Sequence, residues 1–321
     1  MAVVIRAVGK AIPENKVLNS QLPKELDTSD EWIISHTGIR SRYLVNDKEN
    51  CVSLGVAACK QALEDSGIKA EDVNLLICST TTQIYQGFPA TACVIQDGLN
   101  AVNATCFDIM GACSGFLYAL NNACAMMEMN GWKYALVCAT EVLSKITDWT
   151  DRSSCILFGD GAGAFVLERI ENDLPEDSQA LCGKVLSFVS GSDGKGAGAL
   201  YLDSTDGFMK MDGHAVYNFA VNAMTNAIEL VMKKENLTEE QVDYFVCHQA
   251  NERILSAAAK RLGYDFSKFI CSVKEYGNTS SSSIPIALYD MQQEGKIKKG
   301  TVIVSAAFGA GLTWAGTAFK F

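Results

Sequence analysis

The sequence repeats one pattern of secondary structure at a separation of 166 to 169 residues. EDVNLLICSTT begins at Glu71 and EQVDYFVCHQA begins at Glu240, and each reads as a loop followed by a short apolar strand. A segment with apolar residues at helical spacing precedes each strand. This regularity predicts two similar α/β halves, each with a sheet of apolar strands connected by helices.

The repeat continues beyond these strands and indicates where the halves divide. GACSGFLYALNNACAMMEMNG and GNTSSSSIPIALYDMQQEG each place a glycine-containing turn before a helix, and strands ALVCATE and TVIVSAAFG follow. The segment ENDLPEDSQ, acidic and with a proline, comes directly after Ile170 and is typical of a surface linker. We therefore predict an N-terminal half at residues 1–170 and a C-terminal half at residues 171–321.

Two polar or glycine-rich segments interrupt the pattern. Residues 15–50 read as an excursion over the surface between a strand and a helix. The loop GSDGKGAGALYLDSTDGF, residues 191–208, is irregular and is expected to cover a site or cross a surface.

Composition excludes several classes of protein. The 321 residues are 48% hydrophobic with a formal charge of −10, which argues against a general nucleic-acid binder. No run of 18 uncharged apolar residues predicts a membrane span, and MAVVIRAVGKAIPENK reads as a first strand, so a cytoplasmic protein is expected. Most of the 12 cysteines lie in apolar runs, no Cys-x-x-Cys pair occurs and only three histidines are present, so no metal site is expected.

Cys113 is the cysteine most suited to chemistry. It lies between Gly111 and Gly115 at the predicted start of a helix, where unpaired N–H groups and the helix dipole favour an anion. Both effects predict a thiol pKa below its free value of about 8.5. On local features alone, a buried structural cysteine explains the position equally well.

The second half supplies two polar partners. His248 follows a predicted strand in VCHQAN, where ligand crevices form in α/β sheets, and Asn278 lies at a glycine-bearing turn before a helix. Taken singly, His248 is also explained as a structural histidine and Asn278 as a turn or capping residue. His214 is expected in a flexible loop, MDGHAV. If the halves are related by a pseudo-twofold, the two helix starts face one crevice, and the three side chains suit acyl transfer through a thioester.

Several motifs in a fixed order carry a family resemblance. GACSGF, HQAN, GNTSSSS and the terminal AAFGAGLTWAG resemble β-ketoacyl-acyl carrier protein synthase III, and the resemblance runs essentially from end to end. It implies a thiolase-like fold of five layers, αβαβα, formed by the two halves. It also implies decarboxylative Claisen condensation of an acyl-CoA primer with malonyl-acyl carrier protein in the initiation of fatty acid synthesis. A homodimer and no cofactor are implied, since acyl-CoA is a substrate.

The resemblance assigns roles in the reaction. Cys113 is implied to carry the acyl group as a thioester, while His248 and Asn278 hydrogen-bond the malonyl thioester carbonyl as CO2 departs. The backbone amides of Cys113 and Ala310 are implied to form the oxyanion hole.

The binding residues implied by the resemblance fall into three groups. Trp32 and Arg152 resemble the pair that sandwiches the CoA adenine, with His36 where the family often carries an arginine near the CoA phosphates. Phe88 resembles a residue that reaches into the partner's acyl pocket, and Phe308, Phe208 and Leu143 are further pocket candidates. Arg253, Lys260 and Arg261 resemble the basic patch that receives the carrier protein. Asn218 stands where the family often has a lysine, so that patch is expected to be less basic.

Four alternatives remain at the level of sequence. A synthase III relative of polyketide or secondary-metabolite assembly would keep Cys113, His248 and Asn278 and differ in its acyl pocket. A thiolase proper would carry a second cysteine in the terminal glycine loop, which AAFGAGLTWAG lacks. A Cys-His-Asn hydrolase of another fold would not predict the repeat, and a non-catalytic scaffold would not need the three side chains.

Overall fold

A nine-stranded sheet passes through the protein, and helices cover it in layers. The computed structural model describes residues 2–171 and 182–321. The strands are β1 (Ala2–Ala11), β2 (Asn15–Leu18), β3 (Ser41–Leu44), β4 (Leu75–Ser79), β5 (Thr105–Ile109), β6 (Tyr134–Glu141), β7 (Gly161–Ile170), β8 (Gly183–Ser192), β9 (Leu200–Leu202), β10 (Met209–Met211), β11 (Tyr244–Phe245), β12 (Val302–Gly309) and β13 (Thr313–Lys320). The helices are α1 (Asp30–Thr37), α2 (Cys51–Ser66), α3 (Thr91–Leu99), α4 (Gly115–Asn130), α5 (Arg152–Cys155), α6 (Gly213–Glu235), α7 (Glu252–Leu262), α8 (Val273–Tyr276) and α9 (Ser283–Gln293).

The strand order is the same in the two halves. The first half runs β1-β7-β6-β4-β5, and the second runs β8-β13-β12-β11. β4 pairs parallel with β6 as β11 does with β12, and the next two pairs of each half are antiparallel. β4 also pairs parallel with β5, a strand without a counterpart among the described strands of the second half. The predicted repeat is therefore confirmed at the level of topology.

The halves are joined edge to edge, which the sequence did not predict. β1 and β8 pair antiparallel over only two positions, Val4 with Lys184 and Ile5 with Gly183. This short ladder merges the two expected sheets into one. It gives the first strand of each half a partner for backbone groups that would otherwise lie on an open edge.

The helices form three layers around the strands. α4 and α9 lie in the middle, where Phe116 and Leu288 share a buried cluster with strand residues of both halves, such as Phe165 and Ile303. α2 and α3 cover the outer face of the first half, and α6 and α7 cover that of the second. Alternation along the strands makes this possible, because successive side chains point to opposite faces. The five-layered αβαβα arrangement is thus confirmed.

The two central helices begin in the same unusual way. α4 follows a single 3-10 turn at Ala112–Ser114, and α9 follows one at Ser280–Ser282. Ala112 (φ 44°) and Ser280 (φ 52°) both adopt the left-handed backbone conformation, which is disfavoured for residues that carry a Cβ. The repeat therefore extends to the backbone of the helix starts.

The structure bears on two further expectations and leaves a third untested. The glycine-rich loop at 191–208 is more regular than predicted, since β9 lies within it and pairs with β10. His214 lies in the first turn of α6 rather than in a flexible loop, because Asp212 caps that helix. β7 ends at Ile170, but residues 172–179 of the predicted linker lie outside the described residues, so the division at 170/171 stays a prediction. No helix in the described ranges has the length and apolar character to cross a membrane.

Candidate active site

Close backbone packing places Cys113 where the two halves meet. The residue lies in the 3-10 turn between β5 and α4. A Cβ on Gly309, at the end of β12, would lie 2.8 Å from the Cys113 nitrogen, so only glycine allows this approach. A Cβ on Gly115 would lie 2.3 Å from Ser79 Oγ. Glycines in both halves thus let the cysteine turn fit against its neighbours.

A hydroxyl pair holds the terminal loop against this turn. Thr313 Oγ1 lies 2.8 Å from Ser114 Oγ and 3.3 Å from the carbonyl oxygen of Gly111. The same hydroxyl lies 3.0 Å from the carbonyl oxygen of Ala310. These contacts fix the loop that carries Ala310 beside the Cys113 backbone, where the sequence predicted the two amides of an oxyanion hole.

His248 is a buried, uncharged imidazole. Its backbone N–H donates to Ala306 of β12, which extends the parallel pairing beyond β11. Nδ1 lies 2.8 Å from Ser283 Oγ, which also accepts the Gln249 N–H at 3.2 Å. Nε2 has no hydrogen-bond partner among the described residues. Burial lowers the pKa of His248 to about 3, and the Ser280 backbone opposes this only in part.

Asn278 is held through its oxygen, which leaves its nitrogen available. Oδ1 accepts the Ser280 N–H at 2.9 Å, and the Asn278 N–H donates to the Leu157 carbonyl at 2.8 Å. The amide orientation follows from this network. Nδ2 is then the group that the buried side chain can offer to a ligand.

One cavity of about 740 Å³ brings the predicted side chains together. Its walls are mostly apolar, as is usual for pockets that bind small molecules. The candidates that line it are Trp32, His36, Cys113, Leu143, His248, Arg253, Asn278, Phe308 and Ala310. The candidates outside its lining are Phe88, Arg152, Phe208, Lys260 and Arg261.

The expected lowering of the Cys113 pKa is not observed. Burial raises the pKa of the thiol to about 12, and the charge of Glu141 acts in the same direction. The Ser280 side chain and the local backbone lower it only in part. The sequence argument considered the helix terminus but not the desolvation of the sulfur, which outweighs it here.

The residues predicted to hold the adenine already contact one another. The Arg152 guanidinium carbon lies 5.1 Å from the Trp32 ring centroid, and the His36 ring stacks on Trp32 at 4.1 Å and 16°. An aromatic ring needs about 3.5 Å on each of its faces. A ring between Arg152 and Trp32 would therefore need twice that distance, and the observed separation is only 5.1 Å. Arg152 or His36 must move before an adenine can stack on Trp32.

The aromatic candidates for the acyl pocket differ in position. Phe308 lines the cavity and packs edge-on against His248, with ring centroids 5.2 Å apart. Phe88 is 89% exposed in the single chain. Phe208 lies outside the lining, although the next residue, Met209, is part of it. β9, inside the loop that was expected to cover a site or cross a surface, and β10 supply Tyr201, Leu202, Met209 and Met211 to the walls, although none of these four residues was a candidate from the sequence.

The predicted basic patch lies on α7. Arg253, Lys260 and Arg261 are all exposed, and Arg253 also lines the cavity. Arg261 donates to the Asn222 side chain on α6. Asn218, which stands where a lysine was expected from the resemblance, has its Nδ2 3.0 Å from His214 Nε2. Lys260 follows Arg253 by two helical turns, so the charges extend about 10 Å from the cavity along the helix.

The part of the chain that the structure describes has no group of three His, Cys, Asp or Glu side chains placed to hold a metal ion. Its cysteines, including Cys113, are all free thiols.

Comparison with known proteins agrees with this geometry. The family model "3-Oxoacyl-[acyl-carrier-protein (ACP)] synthase III" matches residues 107–194, and the model of its C-terminal part matches residues 232–321. The β-ketoacyl-[acyl-carrier-protein] synthase III of Oceanobacillus iheyensis is 42% identical, over 100% of this chain and 99% of its own length. The crystal structure of the synthase III from Aquifex aeolicus superposes with a TM-score of 0.93 at 37% identity, covering 99% of this chain and all of that one.

A priming β-ketosynthase from a polyketide biosynthetic pathway also superposes, with a TM-score of 0.91 at 33% identity, covering all of this chain and 96% of that one. Fold and sequence together define a thiolase-fold condensing enzyme of the acyltransferase type. The chain belongs to the β-ketoacyl-[acyl-carrier-protein] synthase III family.

Proposed function

We propose that the protein condenses a short acyl-CoA primer with malonyl-acyl carrier protein and so initiates fatty acid synthesis. The observation that carries this proposal is the meeting of Cys113, His248 and Asn278 in one largely apolar cavity. A nucleophile from one half and two hydrogen-bond donors from the other are the groups that the reaction needs.

In the first half-reaction, the Cys113 sulfur attacks the carbonyl carbon of acyl-CoA. A carbon–sulfur bond forms to Cys113, and the bond between the acyl group and CoA breaks. The negative charge that develops on the carbonyl oxygen is stabilised by the backbone amides of Cys113 and Ala310, which the close approach at Gly309 brings together. The Cys113 thiol gives up its proton as its sulfur attacks, and CoA leaves as a thiolate that takes up one proton in turn.

In the second half-reaction, His248 and Asn278 act on the malonyl thioester. With the Ser283 hydroxyl hydrogen directed at Nδ1, the ring proton stays on Nε2, which faces the cavity without a protein partner among the described residues. Nε2–H and Asn278 Nδ2 donate to the malonyl carbonyl oxygen as CO2 departs. The resulting carbanion attacks acyl-Cys113, and the sulfur is expelled as the 3-oxoacyl product forms.

Substrates reach the site along one side of the cavity. Trp32 takes the CoA adenine once Arg152 or His36 has moved aside, and Arg152 and His36 then contact the nucleotide. The exposed cations of α7, Arg253, Lys260 and Arg261, receive the acidic carrier protein on an enzyme that is itself acidic. No cofactor takes part, because acyl-CoA is a substrate.

Mass spectrometry of the protein after incubation with acetyl-CoA tests the proposal. We expect one acetyl adduct on Cys113, lost in Cys113→Ser and retained in Cys106→Ser, which alters another half-buried cysteine of the first half. The absence of an adduct with every short acyl-CoA tried would overturn the proposal.

The main alternative is the priming reaction of polyketide assembly, which is the activity named for one structural relative. It predicts the same adduct on Cys113. A panel of acyl-CoA primers assayed with malonyl-loaded carrier proteins of both pathways separates the two. We expect turnover with the fatty acid carrier protein.

A further inference from the structure

Two backbone donors beside the nucleophile have no partner in the protein. Cys113 and Ala310 both line the cavity, one from each half. Within the described ranges, neither residue's N–H donates to a backbone carbonyl. N–H groups in protein interiors are nearly always paired, so two free ones on one cavity wall point to a ligand atom that accepts from both. The proposed function places the carbonyl oxygen of the acyl group there, and a contact between the halves must then set the distance between the two donors.

Ser114 stands where a serine usually caps a helix, but its hydroxyl makes a different contact. It directly precedes α4, and its side chain accepts no hydrogen bond from the first turn of that helix. The buried hydroxyl instead donates to the Gly111 carbonyl at 2.8 Å and lies 2.8 Å from Thr313 Oγ1. A serine that leaves α4 without a side-chain cap therefore joins the cysteine turn to the second half.

Thr313 completes this contact from the other half. Its half-buried hydroxyl lies 3.0 Å from the Ala310 carbonyl oxygen and 3.3 Å from that of Gly111. With the Ser114 proton directed at Gly111, the nearest acceptor for the Thr313 proton is Ser114 Oγ. The two hydroxyls thus connect the turn that carries the Cys113 amide to the loop that carries the Ala310 amide.

We propose that the hydroxyls of Thr313 and Ser114 set the distance between the two amides, and with it the stabilisation of the negative charge in acyl transfer. Both are positioning residues, since they act through the backbone that they hold. Close packing at Gly309 lets the two backbones approach, and the hydroxyl pair fixes how they are aligned. Two donors stabilise a developing charge only if both already stand in place, and an error of about 1 Å can cost roughly 100-fold in rate.

Thr313→Val removes the hydroxyl and keeps the branched shape of the side chain. The inference rests on the proposed function, so the readout is the single-turnover rate of acetyl transfer from acetyl-CoA to Cys113, followed by quenched-flow mass spectrometry. We expect the variant to be roughly tenfold slower, since displaced donors lose part of the roughly 100-fold that removal of one donor costs. The acetyl-CoA concentration that gives half the maximal rate should not change, because the charge develops only in the transition state.

Two further threonine variants test whether the hydroxyl itself matters. Thr313→Ser keeps it and should react at close to the wild-type rate, so a loss equal to that of Thr313→Val would overturn the inference. Thr317 lies four residues further along β13, is 0% exposed and outside the cavity lining, and its hydroxyl has no hydrogen-bond partner among the described residues. Thr317→Val is therefore a matched control that should acetylate at the wild-type rate. Equal rates in Thr313→Val and Thr317→Val would also overturn the inference.

Ser114→Ala removes the other member of the pair and keeps the test available should Thr313→Val fail to fold. We expect this variant to be roughly tenfold slower than wild type, for the same reason. The double variant should be about as slow as either single variant rather than roughly 100-fold slower, since the two hydroxyls make one contact. Losses that multiply in the double variant would show that the hydroxyls act separately and would contradict the inference.

The infrared spectrum of acetyl-Cys113 separates positioning of the amides from a general loss of packing. With acetyl-CoA isotope-labelled at its carbonyl carbon, the thioester stretching band reports the hydrogen bonds that the carbonyl oxygen accepts, because these weaken the C=O bond. We expect the band at higher wavenumber in Thr313→Val than in wild type and in Thr317→Val. A band unchanged in Thr313→Val would mean that the donors have kept their places, against the inference. Failure of the wild-type protein to acetylate Cys113 would instead reject the proposed function.

Discussion

Because His248 is buried as an uncharged imidazole, it makes the free energy of unfolding depend on pH. Its pKa is about 3 in the folded protein and near 6.5 in an unfolded chain. The folded state therefore binds fewer protons below pH 6.5, so stability is complete above that pH and is lost as the pH falls toward 3. Between pH 7 and pH 5 this single group should remove about 2 kcal/mol from the free energy of unfolding.

Urea unfolding of wild type and His248→Gln at the two pH values checks this prediction. The variant has no group that titrates at this position, so its free energy of unfolding should fall by about 2 kcal/mol less than that of wild type. His36 is half-buried and His214 is exposed, and both are present in both proteins, so their contributions cancel in the comparison. Equal pH dependence in the two proteins would show that His248 is not kept neutral by burial.

At the scale of elements, the end of β12 determines the shape of the site. Gly309→Ala places a methyl group 2.8 Å from the Cys113 nitrogen and 3.0 Å from the Gly111 carbonyl, both of which are backbone atoms that cannot rotate away. We expect the turn and the β12 end to move apart, which should lower the rate of Cys113 acetylation at least tenfold, since a shift of about 1 Å in a positioned group can cost 100-fold. Gly194→Ala, where a Cβ meets no atom within 4 Å, should acetylate at the wild-type rate. Acetylation of Gly309→Ala at that rate would contradict the prediction.

The same elements show what the sequence could and could not reveal. The starts of α4 and α9 were predictable, because glycine and serine patterns recur at matching positions and such turns are set by local residues. The pairing of β9 with β10 was not, since each strand is only three residues long, too short for a pattern of polar and apolar residues to identify it.

The burial of Glu141 was not predictable from the sequence, for a different reason. In the sequence it is one acidic residue at the end of an apolar strand, where exposure is the usual outcome. Only tertiary contacts from Thr81 and Ser281, which lie 60 and 140 residues away, show that it is buried and hydrogen-bonded. The Cys113 pKa was misjudged for the same reason, because desolvation depends on packing from the second half.

At the scale of the whole molecule, the cavity is built from both halves, but in the single chain Phe88, predicted to contribute to the acyl pocket, lies outside it. Phe88 is 89% exposed, an unusual position for a large aromatic side chain in a protein that functions alone. We propose a homodimer in which Phe88 of one subunit closes the acyl pocket of the other. Sedimentation equilibrium should then give the mass of two chains.

Truncating this side chain should lengthen the pocket if it forms the closed end. In Phe88→Ala we expect the kcat/KM for hexanoyl-CoA relative to acetyl-CoA to rise roughly tenfold, since each methylene accommodated in an apolar pocket is worth about 1 to 3 kcal/mol. Met129 is 88% exposed and lies outside the cavity lining, so Met129→Ala is a control of matched exposure that should keep the wild-type ratio. A dimer in which Phe88→Ala also keeps that ratio would place the end of the acyl pocket within a single chain.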